Sequence, residues 1–166
     1  MLIQSGKVFI DSEFRQCDLR IENGLVTGLG ENLPLVEGET VYDAAGCYVF
    51  PGLFDIHMHG AVGEDFSDAS PEGLLRMVEY ERSCGITAFC PTSMSLGKDE
   101  LTEVFRSGKV AADRCPQIYG FHMEGPFLNP KRKGAQKEEH IVAPDKSLFD
   151  ACYEASGMRI KKLTLA

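Results

Sequence analysis

The pattern of apolar and polar positions divides the chain into two parts of different character. Up to residue 46, short apolar runs alternate with turn signals, and the dipeptide Asn23-Gly24 separates the runs DLRIE and LVTGL. Both residues of this dipeptide tolerate positive φ, so it favours a two-residue hairpin turn. We therefore predict a small β-module over residues 1–46 and a second domain over residues 47–166.

Strand and helix patterns alternate in the second part. Four apolar strands are predicted, and the first is a nearly continuous run of the kind that is buried on both faces of a sheet: CYVFPGLFDIHMHG, ITAFCPTS, QIYGFHMEG and RIKKLTLA. Three helices lie between them, and the first has a cap signal in Ser70-Pro71-Glu72. This alternation predicts an α/β fold with a parallel sheet, either doubly wound or a (β/α)8 barrel.

Polar residues at the strand ends decide between these two architectures. Each of the first three strands ends in a polar pair: His57 and His59, Thr92 and Ser93, His122 and Glu124. Barrel active sites are built at the carboxyl ends of the strands, so this placement favours the barrel. No glycine-rich fingerprint follows the first strand, which disfavours a dinucleotide site.

His57 and His59 are the first candidates for chemistry. Residues two apart on a strand point to the same side, so two imidazoles would reach one small volume, an arrangement that suits a zinc-like ion. The alternative is a pair of polar residues that bond to the backbone at a strand-end turn. Their position at the end of an apolar strand, directly before Gly60, favours the metal site.

Glu124 and the basic loop after it are the second set of candidates. Glu124 ends the third strand, where it could be a third metal ligand, a general base, or the partner of a neighbouring cation. The loop that follows, NPKRKGAQK over residues 129–137, is basic in an acidic chain. It is interpreted either as a cover that attracts an anionic substrate to the site or as a solvated surface loop.

Composition narrows the classes of partner. With 17 Lys and Arg against 25 Asp and Glu, the formal charge is −8, which argues against binding to nucleic acid or to an anionic membrane. No membrane span or signal peptide is expected from the sequence. The six cysteines are scattered without a CxxC pair, so we expect reduced, buried thiols in a cytoplasmic protein.

Taken together, these residues resemble the amidohydrolase superfamily, in which PG-x-x-D-x-H-x-H ends the first barrel strand. Here the segment reads PGLFDIHMH, residues 51–59. Within that superfamily, HMHG, PTS and above all GFHMEGPFLNPKRKGAQ resemble the N-acetylglucosamine-6-phosphate deacetylases. The resemblance implies a TIM-barrel domain preceded by a small β-sandwich module, of which residues 1–46 supply the N-terminal strands.

The resemblance also implies roles for individual residues. Glu124 would bind a catalytic divalent metal, zinc or iron, and His57 and His59 match the pair that holds a second ion in some members. Ala135 and Gln136 match loop positions that contact the sugar. The implied reaction releases acetate from N-acetylglucosamine 6-phosphate, in an enzyme that is a cytoplasmic homodimer at full length. Within this chain the resemblance assigns no catalytic residue, because the catalytic aspartate is expected beyond Ala166.

The length of the second part sets a further expectation. A (β/α)8 barrel takes about 250 residues at roughly 30 per βα unit, so residues 47–166 correspond to about four of the eight units. We therefore expect an N-terminal half of such an enzyme, inactive by itself and prone to self-association through its open sheet edges. Two alternatives stay open: another amidohydrolase, such as a cyclic amidase or a deaminase, and a non-catalytic binding or assembly protein.

Overall fold

The computed structural model describes residues 1–166 as two compact units, Met1–Pro51 and Gly52–Ala166. The predicted domain boundary between residues 46 and 47 stays a prediction, because a division by contacts does not test independent folding. Both units contain β-structure, and all the α-helices belong to the second unit. None of these helices combines the length and the apolar character that crossing a bilayer requires.

The first unit is a five-stranded sheet. Its strands are β1 (Leu2–Ile10), β2 (Glu13–Glu22), β3 (Leu25–Gly30), β4 (Val41–Asp43) and β5 (Tyr48–Val49). β1, β2 and β3 are antiparallel neighbours, and β4 and β5 both pair in parallel with β1. Asn23 and Gly24 connect β2 to β3 with φ angles of 51° and 76°, which confirms the hairpin that this dipeptide predicts.

The second unit alternates strands with helices. Its strands are β6 (Leu53–Met58), β7 (Gly60–Ala61), β8 (Glu64–Asp65), β9 (Ile86–Ser93), β10 (Phe121–Glu124) and β11 (Ile160–Thr164), and its helices are α1 (Pro71–Ser83), α2 (Lys98–Arg114) and α3 (Lys146–Ala155). The main sheet has the order β11-β10-β9-β6 and is entirely parallel, as the alternation predicts. β7 and β8 form a separate small antiparallel ladder.

Helix starts follow the capping chemistry of the sequence. The Ser70 hydroxyl accepts a hydrogen bond from the backbone N–H of Gly73, with Pro71 at the first helical position, so the predicted start of α1 is confirmed. The Asp145 carboxylate accepts from the N–H groups of Ser147 and Leu148 at the start of α3. These bonds satisfy amides that have no partner within the helix.

The core of the second unit lies between the parallel sheet and the helices. Phe121 of β10 is fully buried and stacks on Phe66 at a centroid distance of 5.3 Å, with Phe105 of α2 edge-on to both rings. Met123 belongs to the same cluster, whereas the neighbouring Glu124 does not. The alternation along β10 therefore gives one face to the core and leaves the other for polar side chains.

The expectation of one continuous first strand is wrong. The run from Cys47 to Gly60 breaks into β5 and β6, which belong to different units, with Pro51 between them. β6 is also not buried on both faces: Leu53, Phe54 and Ile56 are 53%, 44% and 56% exposed. The reason is that β6 is an edge strand of the main sheet and pairs only with β9.

The cysteines differ from the expectation in part. Cys17, Cys90 and Cys152 are buried, as expected of small apolar side chains. Cys47 and Cys84 are exposed, so the expected burial is wrong for these two. Cys84 lies in the turn after α1, and Cys47 directly follows the turn of Ala45 and Gly46.

Candidate metal centre

Two imidazoles and one carboxylate converge at the carboxyl ends of β6 and β10. His57 lies in β6 and His59 follows its last residue, and their rings are 5.0 Å apart and nearly perpendicular. Glu124 ends β10, with its Oε2 2.9 Å from Nε2 of His59 and 3.8 Å from Nε2 of His57. One ligand atom from each residue lies within 4.8 Å of the other two, which is compact enough for a single ion.

The backbone at the end of β6 bends so that both imidazoles reach this volume. Regular pairing between β6 and β9 is interrupted between Asp55 and Met58. At this break the Asp55 carboxylate accepts a hydrogen bond of 2.8 Å from the N–H of His57. The aspartate of the D-x-H-x-H segment therefore stabilises the bend, a role that the sequence pattern does not indicate.

His59 is oriented by a main-chain carbonyl. Its Nδ1 lies 3.0 Å from the carbonyl oxygen of Thr92 at the end of β9. A carbonyl only accepts, so Nδ1 carries the proton and the lone pair of a neutral ring is on Nε2, which faces Glu124. A hydrogen bond from the ring nitrogen that does not face the metal is the usual way in which proteins fix a metal-binding histidine.

The Glu124 carboxylate supplies the test of whether a cation fits here. Its Oε2 is buried and has no hydrogen-bond partner, and it lies 2.9 Å from Nε2 of His59, where the lone pair of the neutral ring is. Two acceptors this close are unfavourable without a positive charge next to them. Imidazole nitrogen and carboxylate oxygen are both good ligands for zinc and for iron, so the donor set fits a divalent metal.

His122 lies behind this cluster as a neutral support. Its ring is fully buried, 4.9 Å from the ring of His57, and its two nitrogens contact the hydroxyls of Thr92 and Thr164 at 3.2 and 2.7 Å. Burial lowers the pKa of His122 to about 4, and the positive charge of Lys162 adds to the effect. The H-x-E spacing of His122 and Glu124 marks it in the sequence, whereas its burial requires the structure.

A cavity of about 440 Å³ opens beside the three residues. Its other walls include the side chains of the basic loop, and every candidate site residue from the sequence is among its lining: His57, His59, Glu124, Ala135 and Gln136. Arg132 and Lys133 also line it, whereas no aspartate does. The loop therefore lies beside the site, and its cations raise the local concentration of anions there.

The curated proteins to which this chain is similar include several of the same name. No family model matches the chain. The N-acetylglucosamine-6-phosphate deacetylase of Lysinibacillus sphaericus is 30% identical over 154 residues, covering 91% of this chain and 40% of that protein. The enzyme of the same name from Bacillus subtilis is 35% identical over 128 residues, which are 74% of this chain and 32% of that protein.

Solved structures agree with the sequence comparison. N-acetyl-D-glucosamine-6-phosphate deacetylase from Mycobacterium smegmatis matches with a TM-score of 0.88 and 26% identity, over 100% of this chain and 43% of that one. A mutant of that enzyme in complex with N-acetyl-D-glucosamine-6-phosphate matches with a TM-score of 0.86 and 25% identity over the same shares. The chain spans less than half the length of these relatives.

Proposed function

From the similarity of this chain to N-acetylglucosamine-6-phosphate deacetylases, we propose that it provides part of the active site of a metal-dependent amide hydrolase. The substrate is N-acetylglucosamine 6-phosphate, and the products are glucosamine 6-phosphate and acetate. The observation that carries the proposal is the meeting of His57, His59 and Glu124 beside a cavity with basic walls. The four-stranded parallel sheet would be the first half of a (β/α)8 barrel, and the five-stranded sheet part of a β-sandwich.

Each part of the site has a task in this reaction. Glu124, His57 and His59 would hold zinc or iron, one ion or two, which supplies the polarisation of the amide carbonyl and the lowered pKa of the attacking water. Thr92 keeps the Nε2 of His59 directed at the site through its carbonyl oxygen. The sugar would lie along Ala135 and Gln136, and the cations of Arg132 and Lys133 favour the approach of an anionic substrate.

The proton transfer to the leaving amine would be made by a group outside this set. An aspartate is the group that the resemblance implies, and the cavity has none among its lining residues. We therefore propose that these 166 residues alone do not turn over the substrate, and that a full-length enzyme, of the length of the relatives, does. A cytoplasmic homodimer is the proposed form of that enzyme.

The decisive experiment measures metal content and acetate release together. Protein dialysed against zinc or ferrous iron should retain the metal, and Glu124→Gln should abolish retention, while Glu139→Gln, at an exposed glutamate between β10 and α3, should retain it. The full-length enzyme should release acetate from N-acetylglucosamine 6-phosphate. Hydrolysis of a cyclic amide or release of ammonia instead would favour a cyclic amidase or a deaminase. Metal retention that is equal in all three proteins would exclude the proposed centre.

A further inference from the structure

Gln136 is unlike the rest of its loop because it is buried. It is 4% exposed, whereas Gly134, Ala135 and Lys137 are all exposed. A polar side chain that leaves water needs hydrogen-bond partners inside the protein, since an unpaired buried amide is costly. The partners of this carboxamide therefore define what Gln136 does in the loop.

The carboxamide of Gln136 points toward the end of β9. Its Oε1 accepts a hydrogen bond of 2.7 Å from the backbone N–H of Ser95, and its Nε2 lies 3.7 Å from the sulfur of Met94. The reverse orientation of the amide would set two donors against each other at Ser95, so the Oε1 contact fixes the side chain. The Oε1 atom is thus engaged by the main chain, and one N–H of Nε2 faces a weak acceptor.

The turn that carries Gln136 is closed on itself. The N–H of Gln136 donates to the carbonyl of Lys133 at 3.2 Å, and the ammonium of Lys133 donates back to the carbonyl of Gln136 at 3.0 Å. Gly134 has a φ of 60° within this turn, a conformation that suits glycine. Because the turn is a closed unit, one side-chain anchor is enough to hold all of it.

The anchor point, Ser95, lies against the end of the strand that carries Glu124. The Ser95 hydroxyl is 3.4 Å from the carbonyl oxygen of Glu124, so it joins the end of β9 to the end of β10. At Gly125 a Cβ would collide with this hydroxyl, so the two chain segments are in close contact. A loop fastened at Ser95 is therefore held in a fixed relation to Glu124.

We propose that Gln136 is a positioning residue that fastens the basic loop to Ser95, so that Ala135, Arg132 and Lys133 line the cavity in a fixed place. It would act on an anionic sugar mainly by holding the loop in place, since its Oε1 is already engaged by the Ser95 N–H. This inference deepens the proposed function, since it concerns the same cavity. The fastening itself can be tested without any substrate.

Limited trypsin digestion measures how firmly the loop is held, because the loop contains four cleavage sites: Lys131, Arg132, Lys133 and Lys137. Gln136→Met keeps the side-chain volume and removes the acceptor, and we expect cleavage in the loop to become about fivefold faster, the factor that one net hydrogen bond contributes. Gln136→Glu keeps an acceptor for Ser95 and should be cleaved like the parent. Glu138→Ala, an exposed neighbour, is the matched control.

Ligand affinity separates positioning from a purely structural role. For zinc-loaded protein, the dissociation constant of glucosamine 6-phosphate should rise about fivefold in Gln136→Met, with an unchanged melting temperature, and stay at the parent value in the exposed control Glu138→Ala. An unchanged constant beside faster cleavage would overturn the positioning role. Loop cleavage in Gln136→Met that stays within about twofold of the parent would overturn the fastening.

Two further outcomes are distinguishable. Cleavage of Gln136→Met at basic residues throughout the chain would show that this variant has unfolded, and Gln136→Glu would then be the deciding variant. Slow cleavage of the loop in Gln136→Glu supports the fastening. Fast cleavage of the loop in folded Gln136→Glu overturns it. Failure of every variant and of the parent to bind glucosamine 6-phosphate would count against the proposed function, and the digestion would still decide whether Gln136 holds the loop.

Discussion

The two strands that contribute the proposed metal ligands, β6 and β10, have similar sequences and very different surroundings. β10 lies between β9 and β11, and its Phe121 and Met123 are fully buried. β6 lies at the edge of the same sheet, and its Phe54 and Ile56 are 44% and 56% exposed. The comparison teaches that the place of a strand in the sheet, more than its apolar content, decides how much of it is buried.

The difference between a strand paired on both sides and an edge strand also affects the proposed metal ligands. Glu124 is held at the end of a strand that is fixed on both sides, whereas the His57 side chain is 44% exposed at the edge. His59 also follows the edge strand, but its Nδ1 is bonded to β9. The proposed centre therefore combines one carboxylate on a strand that is paired on both sides, one histidine bonded to such a strand, and one histidine on the edge strand.

The strongest test of the comparison truncates one phenylalanine on each strand. Phe121→Ala removes a ring that is packed in the core, and should lower the free energy of unfolding by about 3–5 kcal/mol, because a cavity is left behind. Phe54→Ala removes a ring of the same size at the edge and should cost under about 1.5 kcal/mol. Urea denaturation of both variants measures the difference. Equal losses would show that β6 is as firmly packed as β10.

The second test compares the ligands. Glu124→Gln should weaken zinc binding at least about 100-fold, because it removes a buried charge that both imidazoles face, and His57→Gln should weaken it about tenfold. Competition with a chromophoric chelator gives both affinities, and His140→Gln serves as a control on a histidine outside the cluster. A larger loss for His57→Gln than for Glu124→Gln would reverse the proposed ranking.

The third test addresses the open edges of the sheet. β6 and β11 each have one unpaired side, and an unpaired apolar strand is a template for pairing with another chain. We expect the 166-residue chain to self-associate, and Ile56→Lys to raise the dissociation constant about tenfold or more, as edge lysines do in natural sheets. Light scattering during gel filtration measures the mass. Val110→Lys, a similarly exposed apolar position on α2, should leave the association unchanged.

The smallest expected effect concerns Glu81 of α1, which is 4% exposed. Burial, with the nearby negative charge of Asp55, raises the pKa of Glu81 in the folded protein. The folded state therefore favours the protonated carboxyl, and stability present below the unfolded pKa is lost as pH rises through the folded value. Glu81→Gln should raise the urea midpoint at pH 7 and lose this advantage toward pH 4, whereas the exposed Glu79→Gln should change little at either pH.

Local chemistry explains which elements the sequence predicts well. Ser70-Pro71 and Asn23-Gly24 carry their structural signal within a few residues, and ITAFCPTS corresponds to the observed strand from Ile86 to Ser93. The exposure of β6 could not be predicted in this way, because LFDIHM is as apolar as a central strand. Its edge position depends on which strands the rest of the chain places beside it.

The candidate site also has features that the sequence predicts and features that only the structure shows. The meeting of His57, His59 and Glu124 follows from their places at strand ends in a parallel sheet, and so it could be predicted from the sequence. The engagement of Gln136 with Ser95 and the bond from His59 to the carbonyl of Thr92 depend on the path of the backbone. Contacts between a side chain and a distant main-chain atom leave no pattern in the residue types.

The bond from His59 to the carbonyl of Thr92 has a consequence for how the site withstands mutation. Every amino acid at position 92 has a carbonyl oxygen, so a substitution there can remove the hydroxyl contacts to Met58 and His122 and still leave the acceptor for His59 in place. The orientation of the His59 ring thus depends on the backbone of β9 and not on which side chain position 92 carries. Substitutions can therefore change the side chains around the proposed centre without changing the orientation of His59.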